Sequence, residues 1–280
     1  MPSASPSAAP PAWIEALFRK GNEARLARRY ALALAIYRRV VAADPAHRSA
    51  LQHLGALLTV LGRRVEAEAA LREALKVAPG DAAARHALAL TLMAQGRYAE
   101  AWPDYEARFE VPQLGLKKPG LPVPEWRGED VAGKRVLIVS EMGFGDQIQH
   151  ARFAGLLRDR GATVCLVCRP GLVRLFAESL GGVQVAASGG DVEFRKPDYW
   201  CMSGSLVGAS GVTPETLPSA PYLRAPQAGA RLPEGFKVGL ATAGDPNHGN
   251  DANRSLSSGE AARLRAALSG GLVRGLSAPG

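Results

Sequence analysis

The chain has 280 residues, and its hydrophobic share of 47% is enough to build packed cores in about two domains. The formal net charge is +8, but the basic residues form no continuous block and do not alternate with aromatic residues, which argues against nucleic-acid binding. The three cysteines are too few and odd in number for a disulfide framework, and they fit a reducing compartment.

Residues 1–11 are rich in proline, serine and alanine, and we expect them to form a disordered tail. They lack the charged start and following apolar core that mark a secretory signal. No apolar run elsewhere reaches the length needed to cross a bilayer. We therefore expect a cytoplasmic protein without a transmembrane segment.

A 34-residue period covers residues 12–111 and predicts three tetratricopeptide helix pairs. The predicted pairs are 14–27 with 30–43, 48–61 with 64–77, and 82–95 with 98–110. Small residues coincide at this period, and we expect them where the helices of a pair touch: Gly21, Gly55, Ala33, Ala67 and Ala101. Such stacks bind a peptide or protein partner on the concave face or dock on a neighbouring domain, and the sequence leaves both open.

Residues 112–132 contain four prolines and no helical period, so we expect a linker that lies across a surface and is anchored by Trp126. From residue 133 strands and helices alternate, which predicts a parallel sheet covered by helices over 133–230. The expected strands are 135–140, 163–168, 183–187 and 198–202, and the expected helices are 146–160 and 170–180.

A second α/β unit is expected over 236–280, with a strand at 237–243 and a helix near 258–268. Its length is well below the roughly 100 residues of a typical domain. On this pattern the chain looks cut short.

A glycine turn follows the first expected strand, with Gly143 and Gly145 placed before the helix that is expected from Asp146. Glycine permits tight turns and close backbone approach, and free N–H groups at a helix start suit an anionic or polar ligand. The turn lacks the third glycine of a dinucleotide fingerprint, and the chain has no P-loop. Cys165 and Cys168 lie three apart on an expected strand and point to opposite faces, so we expect neither a metal site nor a cofactor.

The segment 143–153, following a buried strand, resembles the first-strand motif of bacterial glycosyltransferase family 9-like domains. These are relatives of ADP-heptose:lipopolysaccharide heptosyltransferases that are fused behind tetratricopeptide repeats. Residues 221–224 resemble the segment before the second domain of that family. Residues 237–248 and 250–255 resemble the motif that opens it.

The resemblance implies a GT-B fold, in which two Rossmann-like domains face a cleft. The expected class is therefore α + α/β, with tetratricopeptide helical repeats, a Rossmann-like parallel domain of GT-B type and the start of a second one. Two positions depart from the family pattern: Thr242 stands where tryptophan is usual, and Ala252 where a basic residue is common.

The resemblance also implies roles for single residues. Asp146 would be the base that accepts the proton of the acceptor hydroxyl, a task suited to a carboxylate within hydrogen-bond reach. From residue type alone, Asp146 is equally the N-cap of its helix. The acceptor side of the cleft would include Gly143, Gly145 and Gln147. On the donor side, Arg254 would contact the diphosphate. His248 and Asn250 would be loop contacts in the cleft, and Ser255 would belong to the same donor-binding set.

Two functions are compatible with these features. The first is an inverting, metal-independent glycosyltransferase that moves a sugar from a nucleotide-sugar donor to an acceptor, with activity impaired by an incomplete second domain. The alternative is a non-catalytic scaffold that binds a peptide or protein partner through its repeats.

Overall fold

The computed structural model describes residues 11–224, 241–244, 251 and 255–268. Their contacts divide the chain into two compact units, with the boundary after residue 226. Within these described ranges, no helix combines the length and apolar character needed to cross a membrane. The first unit opens with six helices: α1 (Ala12–Leu26), α2 (Tyr30–Ala43), α3 (Arg48–Val60), α4 (Arg64–Val77), α5 (Ala82–Ala94) and α6 (Tyr98–Tyr105).

These helices confirm the repeat prediction. The second helix of each pair begins at Tyr30, Arg64 and Tyr98, which follow one another at the 34-residue period. The small residues lie between paired helices: a Cβ added to Gly21 would lie 2.7 Å from Cε1 of Tyr37. In the second pair, a Cβ added to Gly55 of α3 would collide in the same way with the side chain of Leu71 of α4. The alanines at the shared position are fully buried: Ala33, Ala67 and Ala101.

A four-stranded parallel sheet follows the repeats, in the order β3-β2-β1-β4. Its strands are β1 (Arg135–Val139), β2 (Thr163–Cys168), β3 (Val183–Ala187) and β4 (Tyr199–Met202). The helices are α7 (Phe144–Asp159), α8 (Pro170–Ser179) and the short α9 (Leu206–Ala209). The predicted strands and helices are confirmed to within about two residues at each end.

The core of this part forms because β-branched strand residues meet the apolar faces of α7 and α8. Val136 and Ile138 of β1 are fully buried, and they belong to one cluster with Phe153, Leu157 and Phe176. Gly161 ends α7 in the left-handed region, with φ of 89°, as expected of a residue just past a helix end.

The segment between repeats and sheet is tied down along its length. The last predicted repeat helix, 98–110, is α-helical only to Tyr105 and continues as a 3₁₀ segment, Glu106–Glu110. A second short 3₁₀ segment, Pro112–Leu114, follows it. Further on, the N–H of Trp126 donates to the carbonyl of Trp200 over 2.7 Å, so the chain pairs with the edge of β4. The Trp126 ring is buried, and its Nε1 donates to the carbonyl of Glu129. Trp126 is therefore the anchor that the sequence predicts.

The second unit contains the helix α10 (Ser258–Ala267), close to the expected 258–268. Ser257 and Glu260 cap its start: the Ser257 hydroxyl accepts from the N–H of Glu260, and the Glu260 carboxylate accepts from the N–H of Ser257. Residues 237–240 of the expected strand lie outside the described residues. The backbone carbonyl of Thr242 accepts from the N–H of Leu256 over 2.9 Å.

Candidate functional site

The glycine turn joins β1 to α7, and its left-handed residue is a methionine. Met142 has φ of 65°, whereas Gly143 is extended, with φ of −81° and ψ of 179°, and is the N-cap of α7. The left-handed position of this turn is therefore Met142 and neither of the two glycines. A Cβ added to Gly145 would meet no atom within 4 Å, so this glycine leaves open space at the helix start.

Asp146 is exposed near the start of α7, beyond the carboxyl end of β1. The helix begins at Phe144, two residues earlier than expected, so Asp146 is its third residue and the N-cap interpretation is wrong. Its Oδ2 accepts from the N–H of Gly143 over 3.1 Å, which fixes the turn to the helix. The role of Asp146 as a base stays a prediction.

Gln147 is buried and binds backbone at both ends of its amide. Its Nε2 donates to the carbonyl of Met142 over 3.2 Å, and its Oε1 accepts from the N–H of Arg169 over 3.0 Å. The side chain thus ties the glycine turn to the end of β2. A contact between Gln147 and an acceptor stays a prediction. Since both polar atoms of its side-chain amide already bind backbone groups, the contact would have to involve another atom of Gln147, or the side chain would have to rearrange.

The sheet reverses its strand order at β1, because the chain leaves β1 towards β2 and later returns on the other side to β4. Ligands of open α/β sheets bind beyond the strand ends at such a switch point. Here Glu141 follows β1, and its Oε1 accepts from the N–H of Gly204 over 2.8 Å. The guanidinium of Arg108 lies at the same place, with Nη2 2.8 Å from Glu141 Oε1 and 2.7 Å from Ser205 Oγ.

Arg108 is fully buried, and its guanidinium contacts both aromatic rings and carboxylates. Its guanidinium lies over the rings of Tyr105 and Phe109, at 4.4 and 4.1 Å from their centroids. Burial works against its charge, but the hydrogen bonds that it donates to Glu141 and Glu106, together with their negative charges, outweigh burial and raise the pKa of Arg108 above its ordinary value. The switch point is therefore occupied by an ion pair of the protein itself.

A groove of about 530 Å³ runs along the inner helices of the repeats. This size falls in the range of small-ligand and peptide sites. Among the described residues that line it there is no carboxylate, and its walls mix apolar side chains with hydrogen-bonding ones. The lining residues are Arg25, Tyr30, Gln52, His53, Ala56, Leu57, Thr59, Val60, Ala83, His86, Ala87, Leu90, Val111 and Gln113.

A hydrogen-bond network beneath the groove fixes the state of its central histidine. Oδ1 of Asn22 accepts from the Tyr37 hydroxyl over 2.7 Å and lies 2.7 Å from Nδ1 of His53. Burial, and to a smaller extent the nearby charge of Arg25, lower the pKa of His53 to about 4. His53 is therefore neutral at pH 7. Its Nδ1–H donates to Asn22, and Nε2 is left as an acceptor.

The outer face of the repeats is very different, because its charges neutralise one another. Glu68 accepts from both Arg72 and Arg97 at 2.8 and 2.6 Å, and Arg97 also bonds Glu100 at 2.6 Å. Exposed pairs of this kind add little stability each. Further pairs are Arg38–Glu66, Arg63–Glu66 and Lys76–Glu73. This face has the features of a solvated surface.

Of the four residues predicted to contact the donor, only Ser255 lies within the described residues. Its hydroxyl accepts from the N–H of Gly244 over 2.7 Å and donates to Asp251 over 2.6 Å. Ser255 thus closes a polar loop of the second unit. The other three predicted residues fall outside the described ranges: His248, Asn250 and Arg254.

The chain is similar to known proteins over part of its length. No protein-family profile matches it. It is 31% identical over 178 residues to protein FlbA of Caulobacter vibrioides, which covers 55% of this chain and 29% of FlbA. The chain therefore spans less than a third of the length of that relative.

Similar solved structures align with a little over a third of the chain. A point mutant of MamA is 27% identical, with 37% of this chain and 75% of that chain covered and a TM-score of 0.33. The first TPR of Spaghetti (RPAP3), bound to an HSP90 peptide, is 23% identical, with coverages of 35% and 77% and a TM-score of 0.34. The Arabidopsis OM64 TPR domain is 22% identical, with coverages of 36% and 84% and a TM-score of 0.34. The repeat assignment depends on the helix spacing described above and not on these similarities.

Sequence analysis missed the residues that fill the switch point, although the repeat period carried a signal. At that period Arg108 occupies the position of Val40 and Ala74, which are both fully buried. An arginine at a core position requires a buried partner. That signal does not identify Glu141 as the partner, since Glu141 lies 33 residues further on, in the sheet.

Proposed function

We propose that this protein is an interaction module whose repeat groove binds an extended peptide segment of a partner protein. The groove carries the proposal: it is open, it runs along α1, α3 and α5, and it presents hydrogen-bonding side chains beside apolar ones. Repeat stacks use such concave surfaces for binding. The filled switch point supports the same choice, because the other natural ligand position of the fold is taken by Arg108 and Glu141.

The chemistry of the groove suits a peptide backbone. Gln52 and Gln113 can donate to and accept from amide groups, and Nε2 of neutral His53 can accept. Leu57, Val60 and Leu90 offer apolar contacts at intervals along the floor and rim. A peptide held in this way gains affinity from main-chain hydrogen bonds and specificity from its side chains.

The test selects peptides from a random displayed library on the immobilised full chain and measures their affinity by calorimetry. Ala56→Trp places a ring in the groove, and we expect it to weaken the selected peptides roughly tenfold or more. Ala35→Trp places the same ring on the exposed side of α2 and is the matched control. Unchanged affinity for Ala56→Trp, with an unchanged circular dichroism spectrum, would refute the groove as the binding site.

A second candidate is glycosyl transfer with Asp146 as the base. It is favoured by one observation: an exposed carboxylate stands at the start of α7, beyond β1, in a sheet of Rossmann-like strand order. Asp146 would accept the proton of an acceptor hydroxyl while a nucleotide diphosphate leaves from the donor sugar.

This candidate is tested by calorimetry and by a turnover assay with a panel of nucleotide sugars. Product formed by the natural chain and lost in Asp146→Asn would support it. The control is Asp159→Asn, which removes an exposed carboxylate at the other end of α7. If no nucleotide sugar binds and no product forms, the transferase candidate fails and the interaction module remains.

A further inference from the structure

Arg25 lies at the last turn of α1 and lines the repeat groove. It is half-buried, and its Nε nitrogen is buried without a hydrogen-bond partner. Its guanidinium contacts the hydroxyl of Tyr37, which is a neutral group. Among the residues that the structure describes, no carboxylate lies within ion-pair distance of it. The guanidinium is therefore partly withdrawn from water without an anionic acceptor in return.

Other poorly exposed arginines in the repeats are paired. Arg85 bonds Asp104 at 2.9 Å, Arg97 bonds Glu68 at 2.6 Å, and Arg108 bonds Glu141 at 2.8 Å. The protein thus supplies a carboxylate to each of these three shielded guanidinium groups, but not to the one in the groove. A shielded cation without an anionic partner is unfavourable in the free protein, and it favours an anionic ligand.

The surroundings of Arg25 leave its charge uncompensated. Within the part of the chain that the structure describes, no carboxylate lines the groove, and the positive charge of Arg25 adds to burial in lowering the pKa of His53. Asp81 is the acidic residue that acts on His53, but it caps α5 through the N–H of Ala84 and lies 3.5 Å from Arg48. The carboxylate of Asp81 therefore already has partners other than Arg25.

We propose that Arg25 is the specificity subsite of the groove and binds the carboxylate of an aspartate or glutamate side chain within the partner peptide. This inference rests on the proposed function. The next side chains of the peptide would contact Leu57, Val60 and Leu90. The partner motif is thus an acidic residue beside an apolar segment.

The carboxylate belongs to a side chain because the groove remains open past Arg25. Leu26 occupies, in the first repeat, the position that Val60 occupies in the groove wall of the second repeat. It is 73% exposed, so nothing among the described residues closes this end. A peptide can therefore continue beyond Arg25, and a chain terminus is not required there.

The test uses a library of random peptides with acetylated and amidated ends, selected on the full chain. We expect aspartate or glutamate to be enriched at one position. Changing that acid to its amide should weaken binding to the natural chain about tenfold to a hundredfold, as for other charge-assisted bidentate pairs. The same change should have little effect on Arg25→Gln. Arg39→Gln removes a charge from an exposed position of α2 and should behave like the natural chain.

The outcomes separate the two proposals. Peptides that still bind Ala56→Trp would refute the groove itself. Peptides blocked by Ala56→Trp that show no acidic preference, or an acidic preference unchanged in Arg25→Gln, would refute only the Arg25 subsite. Binding by free-acid peptides but not by amidated ones would also overturn the side-chain assignment, because the ligand would then be a terminal carboxylate.

Discussion

The repeat groove and the switch point of the sheet are both concave places where proteins of these architectures bind ligands. They differ in whether the arginine at each place is paired with a carboxylate of the protein. The groove is open, and among the described residues it has no carboxylate in its lining and no anionic partner for Arg25. The switch point is filled by Arg108 and Glu141, which are almost fully buried and paired. At the switch point, the protein itself supplies the carboxylate that pairs with the arginine. In the groove, we propose that a partner supplies it.

The difference shows that a ligand position implied by a fold is not the same as an available site. The repeats and the sheet belong to one compact unit, and the ion pair lies where they meet. Buried pairs of this kind add less net stability than their geometry suggests, but removing one partner is costly. The comparison can therefore be tested first at the switch point.

The largest effect is expected for Glu141→Ala, which would leave Arg108 charged and buried without its main partner. We expect a loss of about 3–5 kcal/mol in the free energy of unfolding. The measurement is urea unfolding followed by circular dichroism. The double variant Arg108→Met with Glu141→Leu should lose less than the single variant, because no unpaired charge remains. A loss below about 1 kcal/mol for Glu141→Ala would mean that the pair behaves like a surface pair.

A smaller effect is expected in the groove on acidification, through His53. Its folded pKa is about 4, below the roughly 6.5 of an unfolded chain, so the unfolded state binds the proton first. Stability should thus be full above pH 6.5 and fall as the pH drops towards 4, by up to about 3 kcal/mol for this residue.

The pH effect is measured by urea unfolding across this range and by following the His53 imidazole by NMR. His53→Gln should reduce the slope, and the remainder would come from His86 and His150, whose pKa values burial also lowers. An imidazole midpoint near 6.5 would contradict the buried network with Asn22.

The smallest effect is expected where the repeats pack and give the groove its shape. Gly55→Leu would force a side chain into Leu71, and we expect a loss of about 1–3 kcal/mol from overpacking. Gly80→Ala is the control, since an added Cβ there meets nothing within 4 Å, and it should change stability by less than about 0.5 kcal/mol. Equal melting temperatures for the two variants would contradict the placement of Gly55 between helices.

The sequence alone determined the elements that depend on local pattern. The 34-residue period placed Gly21 and Gly55 between helices, and strand and helix bounds were found because hydrophobic period and glycine stops are local signals. The start of α7 was missed by two residues, because the identity of the N-cap depends on the hydrogen bond between Asp146 and Gly143.

Only the tertiary structure decided which concave surface is open. Arg108 and Glu141 are 33 residues apart, and Arg108 and Ser205 are 97 apart, so no local pattern joins them. The absence of a carboxylate beside Arg25, among the described residues, likewise depends on how α1, α3 and α5 pack, because α1 contains Glu15 and Glu23, and neither of them lines the groove. Local periodicity fixes where a helix or strand lies along the chain. The partners of a buried charge are fixed by contacts between distant segments, which form only when the whole unit packs.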